Sequence, residues 1–189
     1  LNILLLETLG TSNDLVVVPQ SYDLNDLIGG EVDMVSAYLT NEPYRLKKMG
    51  IEFNILHPRG YGVDYFGDNL FTSKTEIINN PLRAEKMIRA TLKGWEYALA
   101  NKDEIIDLII KKYTPDADRD KLAYEARITE EMIRPGVVPI GQIDQLRYQE
   151  LAKGYTRLGI MDFAQIPPGF IYSLSGRRQI QLSAVEEKW

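Results

Sequence analysis

Val32-Asp33-Met34-Val35-Ser36-Ala37-Tyr38-Leu39-Thr40-Asn41-Glu42-Pro43-Tyr44-Arg45-Leu46-Lys47-Lys48-Met49-Gly50-Ile51-Glu52-Phe53-Asn54-Ile55-Leu56 is the stretch that decides the class of fold. Val32 to Ala37 reads as a strand. Asn41 to Met49 reads as a helix, with Pro43 tolerated in its first turn and Gly50 at its end, and Ile51 to Leu56 reads as a second strand. Upstream, Leu15-Val16-Val17-Val18 is a β-branched run closed by Pro19, and Asp23 to Ile28 allows a helical turn or two before Gly29-Gly30. Leu1 to Leu9 has the apolar content of a helix stopped by Gly10. Strand and helix alternating on short connections predict an α/β fold, a mostly parallel sheet covered by helices.

After Pro58 the texture changes. Glycines and aromatics run to Phe71, and nearly continuous helical patterning follows. Asn80 and Pro81 suit an N-cap and first helical residue, ahead of an apolar stripe of Ile88, Leu92, Trp95 and Leu99 that places Trp95 in the core. Asn101 with Glu104 has the form of a capping box for the next helix. Asp118 to Met132 and Gln142 to Leu158 add two amphipathic helices, while Pro135 to Pro139 and Pro167-Pro168-Gly169 mark irregular connections.

The chain has 189 residues, 44% of them hydrophobic and 26% charged, which is the balance of a packed globular protein. A net charge of −5 and a pI near 5.0 leave no basic field for a nucleic-acid backbone. With no cysteine, thiol catalysis, disulfides and thiolate metal sites are excluded together, and a lone histidine, His57, argues against a zinc site or a catalytic triad. Neither cofactor nor metal is expected. Asp116, Asp118 and Asp120 lack the glycine and closing glutamate of a calcium loop and read as helix-start residues.

Two polar breaks stand out. Thr40, Asn41 and Glu42 lie where a strand gives way to a helix, so they face either a crevice at the sheet's carboxyl edge or simply the helix cap, with Glu42 favoured by the helix dipole. Gly60-Tyr61-Gly62-Val63-Asp64 puts two flexible points around a tyrosine, which suits a crossover passing close to a ligand, or equally a tight turn. It has neither the dinucleotide fingerprint nor the Walker spacing.

Taken in order, Gly30-Glu31-Val32-Asp33-Met34, Tyr38-Leu39-Thr40-Asn41-Glu42-Pro43, Gly62-Val63-Asp64-Tyr65-Phe66-Gly67-Asp68 and Leu70-Phe71-Thr72 resemble the periplasmic solute-binding proteins of the thiamine-pyrimidine-precursor type, relatives of the nitrate, sulfonate and taurine binders. Gly94-Trp95-Glu96-Tyr97-Ala98-Leu99 and Lys112-Tyr113 are similar to the helical half of the same family, so the resemblance runs to about Leu158.

The resemblance implies a type II periplasmic binding protein-like fold, two α/β lobes joined by crossover strands with the ligand in the cleft between them. On that basis residues 1–58 are the α/β part of the second lobe. Residues 59–172 are the crossover and the helix-rich C-terminal part of the first lobe, and residues 173–189 are a connector. The fold would be partial, its opening portion lying upstream of Leu1. The eukaryotic branch of the family contains pyrimidine synthases with a cysteine-rich motif and a sacrificial histidine. The absence of cysteine, and of any matching context around His57, argues against an enzyme.

The resulting expectation is an extracytoplasmic small-molecule binding domain, periplasmic in setting, that takes a pyrimidine-like or amine-bearing heterocycle. Glu42 would accept hydrogen bonds from the ligand, Thr40 and Asn41 would orient it, Tyr61 and Tyr38 would stack on it, and Asp64 would hold the crossover or reach the ligand. Leu182-Ser183-Ala184-Val185-Glu186-Glu187-Lys188-Trp189 resembles the connector leading to a second module in bacterial sensor proteins, which favours a sensor over the binding protein of an ABC importer. A third reading is a ligand-free interaction module with the same fold. The expected partners are a small molecule, a membrane only through flanking segments, no nucleic acid, and either a second copy or another chain supplying the missing lobe.

Overall fold

The computed structural model describes residues 16–162 and residue 171, and helices organise them. In chain order, α1 is Asn25–Ile28, α2 Glu42–Lys48, α3 Lys74–Asn79, α4 Pro81–Ala100, α5 Lys102–Lys112, α6 Arg119–Ile133 and α7 Gln145–Arg157, with a 3₁₀ turn over Pro58–Tyr61. The expected helix at Leu1 to Leu9 and the expected connector at 173–189 lie outside the described residues.

No strand occurs among the described residues, so the α/β expectation has only its helical half in view. The segments read as strands, Val16 to Val18, Val32 to Ala37 and Ile51 to Leu56, carry no strand ladder. The physical reason is that a helix satisfies its backbone internally, whereas a strand needs a second backbone alongside. Val16, at 90% exposure, has no covering layer, and Ile55 and Leu56 are also exposed.

The long helix α4 starts at Pro81 as expected, and Asn80 stands at the N-cap position but makes no side-chain cap bond, its Nδ2 donating to Glu76 at 3.1 Å. Ala84 and Leu99 are buried and Ile88 and Leu92 half-buried, but Trp95 is left 43% exposed. Trp95 is therefore not a core residue among the described elements. The turn at Gly141 closes over Leu92, and nothing equivalent covers the tryptophan three residues on. The capping box at Asn101 also does not form. Asn101 Nδ2 instead donates to the Tyr97 carbonyl at 2.8 Å, and Glu104 accepts the Tyr97 hydroxyl at 2.8 Å, an interaction that raises the pKa of that phenol.

Helix α3 falls within the helical patterning that follows Phe71. Ser73 Oγ accepts the Glu76 N–H at 3.0 Å, an ordinary N-cap. The Glu76 carboxylate accepts a fork from Arg83 on α4, at 2.5 and 2.6 Å, and that guanidinium holds Glu76 below the usual carboxylate range. Helices α5 and α6 form a hairpin, in which Lys102 at the start of α5 reaches Glu130 near the end of α6 at 3.0 Å. Arg119, opening α6, pairs with Asp103 at 3.2 Å and with Asp107. The buried apolar residues, Leu24, Leu46, Val63, Ala84, Leu99, Ile106 and Ala152, lie just before α1, on α2, α4, α5 and α7, and in the segment after the 3₁₀ turn.

Helix α2 meets the start of α6 through one polar knot. Asp118 caps α6, its Oδ1 accepting from the N–H groups of Asp120 and Lys121. Its Oδ2 accepts from Lys48 Nζ at 2.6 Å and from the Tyr44 hydroxyl at 3.1 Å. The Lys48 hydrogen bond is the main cause that lowers the Asp118 pKa to about 2, and Lys48 is raised in turn.

Two predictions follow from this packing. At Gly141 φ is +80° and an added Cβ would run into a Leu92 methyl, so Gly141→Ala combines backbone strain with overpacking. It should lower stability by about 1–3 kcal/mol in urea unfolding. Gly136→Ala, with open space around it, is the control and should stay within about 0.5 kcal/mol of the parent.

The second prediction concerns acid stability. Because the folded-state pKa of Asp118 is depressed, the contribution of the knot is complete above the unfolded carboxylate value near ~3.9 and is lost as pH falls through about 2. Asp118→Asn keeps a capping oxygen but not the charge, so its urea midpoint should fall less than the parent's over that window. Both side chains are exposed, so the difference should be small and should shrink in high salt. Parallel acid profiles of the two proteins would refute the pairing.

Candidate functional site

The turn Tyr38 to Glu42 is built from short-range hydrogen bonds. Asn41 N–H donates to the Tyr38 carbonyl at 2.9 Å, closing a β-turn, and α2 begins at Glu42. Asn41 occupies the N-cap position, yet its side chain makes no cap bond. The Glu42 carboxylate instead reaches back, one oxygen accepting Tyr38 N–H at 2.7 Å and the other Asn41 Nδ2 at 2.8 Å. Buried Pro43 and Leu46 fix the inner face of the helix. Asn41 Oδ1 is thereby left shielded from solvent with no hydrogen-bond partner. Thr40 is half-buried beside it, and Tyr38 is exposed, its ring free to cover a flat neighbour.

The second break is a tight turn. His57 Nδ1 accepts the Arg59 N–H at 3.2 Å and caps the 3₁₀ turn, which ends at Gly62 with φ of 77°. That positive φ is the physical need for glycine at this position. Tyr61 is 44% exposed. Asp64 Oδ1 accepts from Arg59 Nε at 2.7 Å and from Arg147 Nη2 of α7 at 2.9 Å. The Arg147 guanidinium lies 4.0 Å from the Phe66 ring centre, and Phe66 stacks on Tyr148 at 5.1 Å. Tyr148 donates to Asn69 Oδ1 at 2.5 Å, and its partial burial raises the phenol's pKa.

Tyr38, Asn41 and Glu42 are thus joined by hydrogen bonds, with Thr40 inside the same turn. Asp64 belongs to a separate cluster with arginines, and Tyr61 stands on the 3₁₀ turn. Among the described residues no hydrogen bond, ion pair or ring contact connects the two breaks. Two open surface depressions, about 360 Å³ at Glu150, Lys153, Thr156 and Arg157 and about 500 Å³ along Asn79 to Arg83 and Lys86, include none of these residues. Neither is walled by the chemistry of the two breaks. No group of three metal-ligating side chains is assembled among the described residues.

Sequence reasoning passed over Tyr44, Tyr124, Arg147 and Tyr148, which brace these segments. Tyr124 of α6 donates to the Leu39 carbonyl at 3.1 Å across 85 positions of sequence, and its ring packs on Tyr44 at 5.3 Å. No local pattern announces such a contact. Only Asp118, an obvious N-cap candidate, carried a readable signal.

A family model described as NMT1/THI5 like matches residues 4–105, more than half of the chain and the whole of both breaks. The chain is also 30% identical over 106 residues to the riboflavin-binding protein RibY of Chloroflexus aurantiacus, a match covering 54% of this chain and 29% of that protein. The aligned part therefore spans less than a third of that relative's length. No solved structure matches the chain. The family implies a type II periplasmic binding fold, and the described residues show helices and no strand. The chain belongs to the NMT1/THI5-like family, the solute-binding kinship to which its motifs pointed.

Proposed function

We propose that this chain provides part of the ligand site of an extracytoplasmic solute-binding domain, and that the ligand is a nitrogen heteroaromatic bearing ring N–H or amino donors. The observation that carries this is the acceptor set at the Tyr38 to Glu42 turn. Asn41 Oδ1 is shielded and unpartnered next to a carboxylate with lone pairs to spare. An unmet buried acceptor costs about 1–3 kcal/mol, which a ligand N–H would recover. Exposed Tyr38 and Tyr61 supply flat faces for stacking, Thr40 would help orient the ring, and Asp64 would hold the crossover. The name of RibY, a riboflavin-binding protein, supports a ligand of this chemical class. Pyrimidine-like rings share the same donor pattern.

The reading is non-enzymatic. His57, the single histidine, is engaged in capping the 3₁₀ turn. Whether binding serves signalling or import divides the finer proposal, and we favour a sensor. The Leu182 to Trp189 resemblance supports that choice, with lobe closure as the signal. The importer's binding protein is the alternative, and a ligand-free dimerisation module is the rival from another class. An extracytoplasmic location is part of the proposal. Among the described residues no helix is long and apolar enough to cross a membrane.

A thermal-shift and calorimetric screen of the whole binding domain to which this chain contributes, against riboflavin, pyrimidines, amines, sulfonates and amino acids, tests the proposal. A ligand at about 100 times its Kd should stabilise the folded state by about 2.7 kcal/mol. Glu42→Ala should weaken binding by about tenfold or more, the loss of a hydrogen bond to a charged group. Unchanged affinity in that variant would sink the assignment of Glu42. Stabilisation by none of the panel would favour the dimerisation module.

A further inference from the structure

Each break of the candidate site is held by one side chain from a helix beyond residue 105, where the match to the family model ends. At the first break, the Leu39 carbonyl immediately precedes Thr40-Asn41-Glu42, and Tyr124 of α6 donates its hydroxyl to it at 3.1 Å. The Tyr124 ring is itself fixed, packed on Tyr44 at 5.3 Å with the Arg127 guanidinium 5.2 Å from its centre. The hydroxyl therefore arrives from a rigid support. At the second break, Arg147 of α7 bonds Asp64 at 2.9 Å and covers the Phe66 ring at 4.0 Å, so one side chain grips two residues of the loop. The acceptors of the site lie on a short turn and an exposed loop, which have little stiffness of their own. Their placement depends on what they are tied to.

We propose that Tyr124 and Arg147 are positioning residues of the ligand site, and that α6 and α7 set its two halves independently. The inference rests on the binding-site reading above and extends it to residues outside the matched segment. Neither side chain need touch the ligand. Tyr124 fixes the carbonyl from which the Tyr38 to Glu42 turn hangs, and with it the direction of Asn41 Oδ1. Arg147 fixes Asp64 and the path of the chain after Gly62. Any movement of these segments on ligand entry is then transmitted to α6 and α7, which gives occupancy a route into the C-terminal helices.

The test compares Tyr124→Phe and Arg147→Met with the parent in the full-length chain. The first keeps the ring on Tyr44 and removes only the hydroxyl; the second keeps an unbranched stem and removes the fork. Hydrogen exchange without ligand is read at Tyr38 and Asn41, whose N–H groups are bonded within the first turn, and at Val63, whose N–H bonds the Pro58 carbonyl. Tyr124→Phe should speed exchange at Tyr38 and Asn41 by about tenfold and leave Val63 unchanged, the effect of one lost hydrogen bond. Arg147→Met should do the reverse. With riboflavin and uracil as probes, each variant should bind the probe that the parent binds about three- to tenfold more weakly.

Exchange that is unaltered, or that rises equally across all helices, overturns the inference by showing no role or a merely structural one. Local exchange that rises with probe affinity unchanged overturns it as well. If the parent binds neither probe, the choice of ligand class has failed, and the exchange pattern alone decides whether the two residues position the turn and the loop.

Discussion

The reach of the Glu42 carboxylate back over the start of α2 is the interaction on which the rest of the site depends. A helix N-terminus leaves N–H groups without intrahelical partners, and the usual remedy is a side-chain cap from the preceding residue. Here Asn41 holds that place but does not cap. Glu42 takes the Tyr38 N–H and the Asn41 amide instead, which pins the turn and turns the Asn41 oxygen out of the cap. One carboxylate thus occupies the turn and leaves the shielded Asn41 oxygen without a partner. The buried pair Pro43 and Leu46 on α2, and Tyr124 on the Leu39 carbonyl, hold the turn in place.

The surrounding structure is held by helices and by polar pairs at the surface more than by a deep core. The buried apolar residues are few among the described ones, and none of the described polar side chains is buried. Lys48 with Asp118, Lys102 with Glu130, and Arg119 with Asp103 join neighbouring elements at the surface. Such exposed pairs are individually weak, so they set the register of α2, α5 and α6 and add little to total stability. Phe71, at 91% exposure, and the valines at 16–18 are apolar side chains for which the described residues provide no cover.

What could be read from the sequence was local. Gly29, Pro43, Gly50, Pro81 and Asp118 punctuate helices by their own backbone preferences, and α1, α2, α4 and α6 begin or end close to them. The two polar breaks were visible for the same reason. Strand pairing was not, since a strand is defined by a partner that β-branched composition does not name. Trp95 was misplaced because periodicity identifies a stripe without saying how far along it a neighbour extends. Asn101 and Glu104 matched a capping box in spacing, but Tyr97, one turn earlier, offered both side chains a better partner. Tyr124 and Arg147 were out of reach altogether, because each acts across about 80 residues of sequence.

The central claim is that Asn41 and Glu42 present acceptors to a ring N–H of the ligand. Its most direct measurement is a calorimetric comparison, in the full-length chain, of riboflavin with the analogue in which a methyl group replaces the hydrogen of the ring imide. Methylation leaves the flat ring for stacking, removes the donor and sets a methyl group where the hydrogen bond would form. The account predicts at least about tenfold weaker binding of the methylated compound, the value of a charge-assisted hydrogen bond plus the acceptor left unmet. Equal affinity for the two would contradict it.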